Sequence, residues 1–291
     1  MERIPLVKKA TFTHFLNLFY ELKGSRDLHL LPYAIESSDA EFLPQVVFAE
    51  LLQSLRTLLG DQLFLVTLKK HISLLQKSSD KLSLEAMFSE SCFNRLQVSE
   101  TSLGTFFSLH SIYSVKEAIH ACFEEELFAL FVLESLIQDT VNSQSITGFC
   151  FTHSNDVLLD TWHDTSGAAI YLGQASTGIQ LSRCDSDLQR QIITLNYPER
   201  LSFEHSFQYA LEGYIGRQNF SLSEFASVLG IRLEHSKKTF SDVELTFEAL
   251  KINLTFALRS GCYFSTTSPF MIYLYNWAIP LRRSLLELSN G

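Results

Sequence analysis

Phe220–Phe240, FSLSEFASVLGIRLEHSKKTF, is the stretch on which the reading of this chain turns. Ser221 followed three residues later by Glu224 has the capping-box spacing and opens a short helix. Phe225, Val228 and Leu229 give that helix an apolar face. Leu229-Gly230 then makes a tight turn, where glycine accepts a backbone angle that other residues resist. A second short helix follows, with Ile231, Leu233 and Phe240 facing inward and Arg232, Glu234, His235, Lys237 and Lys238 facing outward. Helix, glycine turn and helix with an exposed basic face is the helix-turn-helix plan, whose second helix suits a major groove. A plain αα-hairpin inside a core has the same pattern.

Outward from this stretch, the chain has 291 residues, of which 46% are hydrophobic and 19% charged, and only 12 Gly and 6 Pro. That composition is globular rather than disordered, and the length suggests two domains. The net charge is −9. Residues 1–189 hold 13 Lys and Arg against 23 Asp and Glu, and residues 190–291 hold 10 against 9. A protein devoted to non-specific phosphate binding would be far more basic. Only the C-terminal third can approach nucleic acid without strong repulsion. An acidic regulatory domain joined to a binding domain fits this split, and two ordinary soluble domains fit it equally.

Five cysteines, Cys92, Cys122, Cys150, Cys184 and Cys262, lie far apart with no CxxC pair. This argues against a disulfide scaffold or a structural zinc module and for a reducing cytoplasm. The N-terminus, MERIPLVKKATFTHF, lacks the continuous apolar core of a signal peptide. The longest apolar runs, Leu127–Leu133 and Phe270–Leu281, fall well below the roughly 20 residues of a spanning helix, so no membrane is expected.

The first 140 residues read mostly helical. Pro44–Gln62 places Val46, Val47, Leu51, Leu55, Leu58 and Leu59 at helical spacing, stopped by Gly60-Asp61. Ser114–Val141 reads as a longer helix capped by Ser114 and Glu117. From Ser145 the texture changes, and strands are expected near Gly148–Thr152, Ala168–Leu172 and Gly178–Leu181. Leu201–Gln218 returns to helix, with a domain boundary within Asp185–Glu199.

Other clusters carry less. Trp162-His163-Asp164, with His153 and Asp156, has irregular spacing for metal ligands and reads as structural. Glu124-Glu125-Glu126 reads as a solvated helix face. Cys122, Cys150 and Cys262 read as buried small hydrophobes. Gly173–Gly178 lacks the GK[ST] or GxGxxG of a phosphate loop, and no catalytic constellation stands out, so no cofactor and no enzymatic activity are expected. The 24 Phe suit a packed core, and an apolar effector pocket would use them too.

Ser221–Ile231, SLSEFASVLGI, resembles the first helix-turn-helix of the AraC/XylS transcription regulators, whose pattern is S-L-x-x-V/F-A-x-x-L-G-M/I. Thr246, Phe247 and Leu250 match the family's S-F-x-x-L after the recognition helix. Ser268, Phe270, Leu274, Trp277 and Pro280 take places in its second motif. Gly148–Leu188 is similar to the end of the regulatory domain in the subgroup with an arabinose-binding-like N-terminal domain. The second motif departs from the family. The chain is short by about one helix between Phe247 and Ser268. The helix PFMIYLYNW is apolar and aromatic where the family shows Arg and Lys.

The expectation is a mainly α fold with a smaller β component (α+β). Residues 1–190 would be a regulatory domain and residues 200–291 a helical helix-turn-helix domain. The resemblance implies a sequence-specific transcription regulator with DNA and RNA polymerase as partners, and a homodimer or a small-molecule effector as inputs. Arg232, His235, Lys237 and Lys238 are the expected DNA contacts: His235 and Lys237 on bases, Arg232 and Lys238 on phosphates. The alternative is a diverged relative that does not bind DNA alone and acts through protein contacts, as co-regulator or anti-activator.

Overall fold

Leucine spacing sets the helix after the N-terminal ribbon. Helix α2, Gln45–Leu59, buries Val47, Phe48, Leu51, Leu52 and Leu55, leaves Val46 and Leu59 half-buried, and leaves Leu58 exposed. It ends at Gly60, whose φ of 73° suits glycine and whose N–H donates to Arg56 O at 2.8 Å. Helix α3, Asp61–Lys77, starts at once, with Asp61 in its first turn where the helix dipole favours an anion. Arg56 Nε holds Asp61 at 2.7 Å and fixes the corner.

The computed structural model describes residues 4–23, 40–77, 93–102, 104–111, 122–140, 146–154, 168–182, 203–214 and 221–229. All belong to the first of two compact units, Met1–His235 and Ser236–Gly291. Before α2 come strand β1 (Leu6–Lys8), helix α1 (Lys9–Lys23) and strand β2 (Phe42–Pro44). The two strands pair antiparallel as a short ribbon, extended at each end by Lys9 N–H to Glu41 O and Gln45 N–H to Pro5 O.

Helix and strand both contribute, and the strand part is larger than expected. Strands β3 (Phe93–Thr101) and β4 (Gly104–Ser111) form a long antiparallel hairpin inside the region read as helical. The alternation Leu96-Gln97-Val98-Ser99 is a period-2 signal that the helical reading of its surroundings overrode. The expected strands appear as β5 (Ile146–Cys150), β6 (Ala169–Tyr171) and β7 (Thr177–Leu181). The sheet order is β3-β4-β7-β5-β6, antiparallel except for the β5–β6 pair. Register aligns Val98, Phe107, Ile179, Phe149 and Ile170 across one face. Every residue of the central strand β7 is buried. A side chain at Gly178 would collide with Phe107 O and the Phe106 ring, so this close approach needs glycine.

Helix α4, Phe123–Thr140, lies between α2 and α3 on one side and β7 on the other. Leu127, Leu130, Phe131, Val132 and Leu133 are buried, which is the pattern of a helix enclosed all round. The Ser114 and Glu117 cap expected for it lies outside the described residues. Phe128 of α4 meets Phe48 of α2 and Phe15 of α1 edge-on, with ring centroids 4.9 and 5.9 Å apart. Among the described residues, no helix is long and apolar enough to cross a membrane. Helices α5 (Phe203–Glu212) and α6 (Leu222–Val228) complete the described chain.

Candidate functional site

Helix α6 is the expected first helix of the helix-turn-helix, and its cap forms as its sequence dictates. Ser221 Oγ accepts the Glu224 N–H at 3.2 Å, and the Glu224 carboxylate accepts the Ser221 N–H at 2.9 Å. Two donors that the helix cannot satisfy internally are thus paired. Phe225, Ala226 and Val228 are buried, while Ser223, Glu224 and Ser227 are exposed. The Phe225 ring stands edge-on to Phe207 at 5.3 Å and tilted against Tyr214 at 5.7 Å. Leu229 N–H returns to Phe225 O at 2.9 Å and closes the last turn. Gly230 and the expected DNA contacts Arg232, His235, Lys237 and Lys238 lie outside the described residues. So do Phe247–Leu258, Phe270–Trp277 and the Asp185–Glu199 segment.

Helix α5 carries two working faces. Phe207 of the helix and Tyr214 just beyond its end pack on Phe225 of α6, and both are buried, as is Leu211 between them. Ser206 and Tyr209 turn to the β1–β2 ribbon. Ser206 Oγ accepts the Ile4 N–H at 3.0 Å, and the Tyr209 ring packs on Phe42 at 5.2 Å. The helix that supports α6 is therefore joined directly to the N-terminal ribbon.

The acidic run Glu124-Glu125-Glu126 corrects the sequence reading: it is not a solvated face. These residues are 6%, 3% and 0% exposed. The physical reason is the apolar stretch that follows. A helix enclosed on every side has no water-facing stripe, so its first turn is drawn inside with its charges. Each carboxylate is then paired separately. Glu124 receives Arg56 Nη1 at 2.8 Å, with the guanidinium also 5.7 Å from the Phe123 ring centroid. Glu125 accepts the Cys122 N–H at 3.2 Å, the back half of a capping box with cysteine in the cap position. Glu126 accepts the Thr152 N–H at 2.6 Å and the Thr152 hydroxyl at 3.0 Å, together with the Thr177 hydroxyl and His153 Nδ1. Further along the helix, Glu134 receives Lys69 Nζ at 2.7 Å.

These environments split the acids. Burial pushes the Glu125 carboxyl up to about 7, against the opposing hydrogen bonds from Cys122 and Gln45. Burial would raise Glu126 too, but the hydrogen bonds from His153, Thr177 and Thr152 outweigh it and hold that carboxyl below its usual range. The Cys122 thiol is pushed up by burial and by Glu125 and Glu124, and burial alone takes Cys150 to about 11. Both thiols are only partly buried, yet neither is a thiolate at neutral pH.

Glu126 fastens α4 to the ends of β5 and β7. His153 is placed for it by Gly173, whose N–H donates to His153 O at 2.9 Å at a φ of 62°. Its oxygens are taken up by four donors, which suits a structural anchor. His163, Asp164 and Asp156 lie outside the described residues, and among those described no group of three or more His, Cys, Asp or Glu is set for a metal. Sequence spacing could not have found the Glu126–His153 pair, which joins residues 27 positions apart.

No family model matches the chain, and no curated protein matches it.

Proposed function

We propose that the chain is a sequence-specific DNA-binding transcription regulator of the AraC type. The observation that supports this reading is the capped helix Ser221–Val228, seated through Phe225 on Phe207 and Tyr214 at the position where the sequence places the supporting helix of a helix-turn-helix. Residues 1–190 serve as the regulatory domain, and residues 200–291 as the DNA-binding domain. The second helix presents His235 and Lys237 to bases and Arg232 and Lys238 to phosphates. RNA polymerase is the downstream partner in the cytoplasm, and self-association or a small effector is the input. No catalytic role is assigned. The contact between α5 and the β1–β2 ribbon supplies a direct route from the N-terminal region to α6.

The second reading is a co-regulator or anti-activator that works through protein contacts. The net charge of −9 and the apolar Phe270–Trp277 segment favour it. A salt titration of binding to genomic fragments separates the two: a specific regulator retains selected fragments, whereas a co-regulator retains none.

A further inference from the structure

His14 on α1 and His71 on α3 face each other away from the anchor described above. Nε2 of His14 and Nδ1 of His71 are 2.8 Å apart, and the rings are tilted by 56° with centroids 5.0 Å apart. Phe15 backs both rings, edge-on to His14 at 5.5 Å and tilted against His71 at 6.2 Å. Phe15 is itself fully buried against Phe48 and Phe128, so the pair sits on the rim of the rigid aromatic core. Both histidines are half-buried and open to water on one side.

We propose that His14 and His71 form a binding site for a first-row transition-metal dication such as zinc or copper(II), with His14 Nε2 and His71 Nδ1 as the protein ligands. At 2.8 Å one facing nitrogen carries a proton and the other accepts it. Moving that proton to the far nitrogen of its own ring leaves two lone pairs facing a common point, with no net proton released. Zinc–imidazole bonds of about 2.0–2.1 Å at a tetrahedral angle put the two nitrogens about 3.3 Å apart. The pair must therefore open by about half an ångström, a small adjustment for half-exposed side chains. Imidazole suits zinc, copper and nickel rather than magnesium or calcium.

The surrounding charges fit. Burial lowers the pKa of His14, opposed by Glu21. Burial, then His14 and Lys70, lowers that of His71, again opposed by Glu21. Both shifts favour the neutral ring, the form that binds a metal. The Glu21 carboxylate acts on both rings and favours a cation, while the Lys70 ammonium acts on His71 and opposes one. Two protein ligands leave the remaining positions to water, which makes the site exchangeable rather than a closed structural centre.

The test is calorimetry of zinc chloride into the reduced full-length chain, with copper(II) electron paramagnetic resonance beside it. One zinc per chain is expected, weakening as pH falls and the rings protonate. His14→Gln and His71→Gln, each checked for an unchanged circular dichroism spectrum, should each weaken binding by about tenfold or more. The copper spectrum should carry coupling to imidazole nitrogen. Absence of binding overturns the proposal. So does binding that survives in both variants, since other side chains would then hold the ion.

Discussion

The backbone N–H of Ile4 donates to Ser206 Oγ at 3.0 Å, across 202 positions of chain. Ser206 is fully buried and Ile4 nearly so. The contact ties the first residues described to α5, and Tyr209 on Phe42 reinforces it. Ser206→Ala should leave the Ile4 N–H buried without this acceptor and cost about 1–3 kcal/mol in urea unfolding. Limited proteolysis within Asp185–Glu199 should yield two pieces that stay together on gel filtration. Free separation of the pieces would contradict the coupling.

Glu125 predicts a pH dependence of definite sign. Its carboxyl is raised from 4.5 to about 7 in the folded chain. Between those values the folded state holds a proton that the unfolded state has released. The stability this group contributes is full below about 4.5 and is lost as pH rises through 7. Glu125→Gln keeps the shape and removes the titration. Between pH 5 and pH 8 the unmodified chain should lose roughly 2–3 kcal/mol more unfolding free energy than the variant. Parallel pH profiles would refute the assignment.

Glu126 should be the costliest acid to remove. Glu126→Ala strands the buried Thr177 hydroxyl and removes the acceptor shared by Thr152 and His153 at the edge of the site, an expected loss of about 1–3 kcal/mol. His153 is a third exposed and can turn to water, so His153→Ala should cost less. Equilibrium unfolding of the two variants checks the order, and the reverse order would deny Glu126 its role as anchor.

Phe225 holds α6 on α5. Phe225→Ala should cost about 3–5 kcal/mol and speed amide exchange in residues 203–214 and 221–229. The exposed Ser223→Ala should do neither. Exchange that accelerates uniformly along the chain, instead of locally, would show that α6 is not a separate packing unit.

The chain's regular elements were legible where local chemistry alone decides them. The α2 leucines, the Gly60 stop and the Ser221–Glu224 box each act within a few residues, and each is found. The three strands after Ser145 were visible because glycine and β-branched residues bracket them. The Phe93–Ser111 hairpin was not, since its period-2 alternation, Leu96-Gln97-Val98-Ser99, is short and lies in surroundings with helical spacing. The acidic turn was misread for a related reason. Charge alone favours water, and only the position of α4 between helices and sheet, with Arg56 and Thr152 waiting, makes burial tolerable. The His14–His71 pair left no sequence signal, as its members are 57 positions apart.

Binding of the full-length chain to genomic DNA fragments across a salt series tests the central claim most directly. The account predicts retention of particular fragments above background, with affinity falling linearly in log salt. Lys237→Ala should lose roughly 1–3 kcal/mol on those fragments, and Lys238→Ala should weaken all fragments alike and flatten the salt slope. No fragment selected at any salt concentration, or full specific affinity in the double variant, would contradict the DNA-reading account and leave the protein-contact reading in its place.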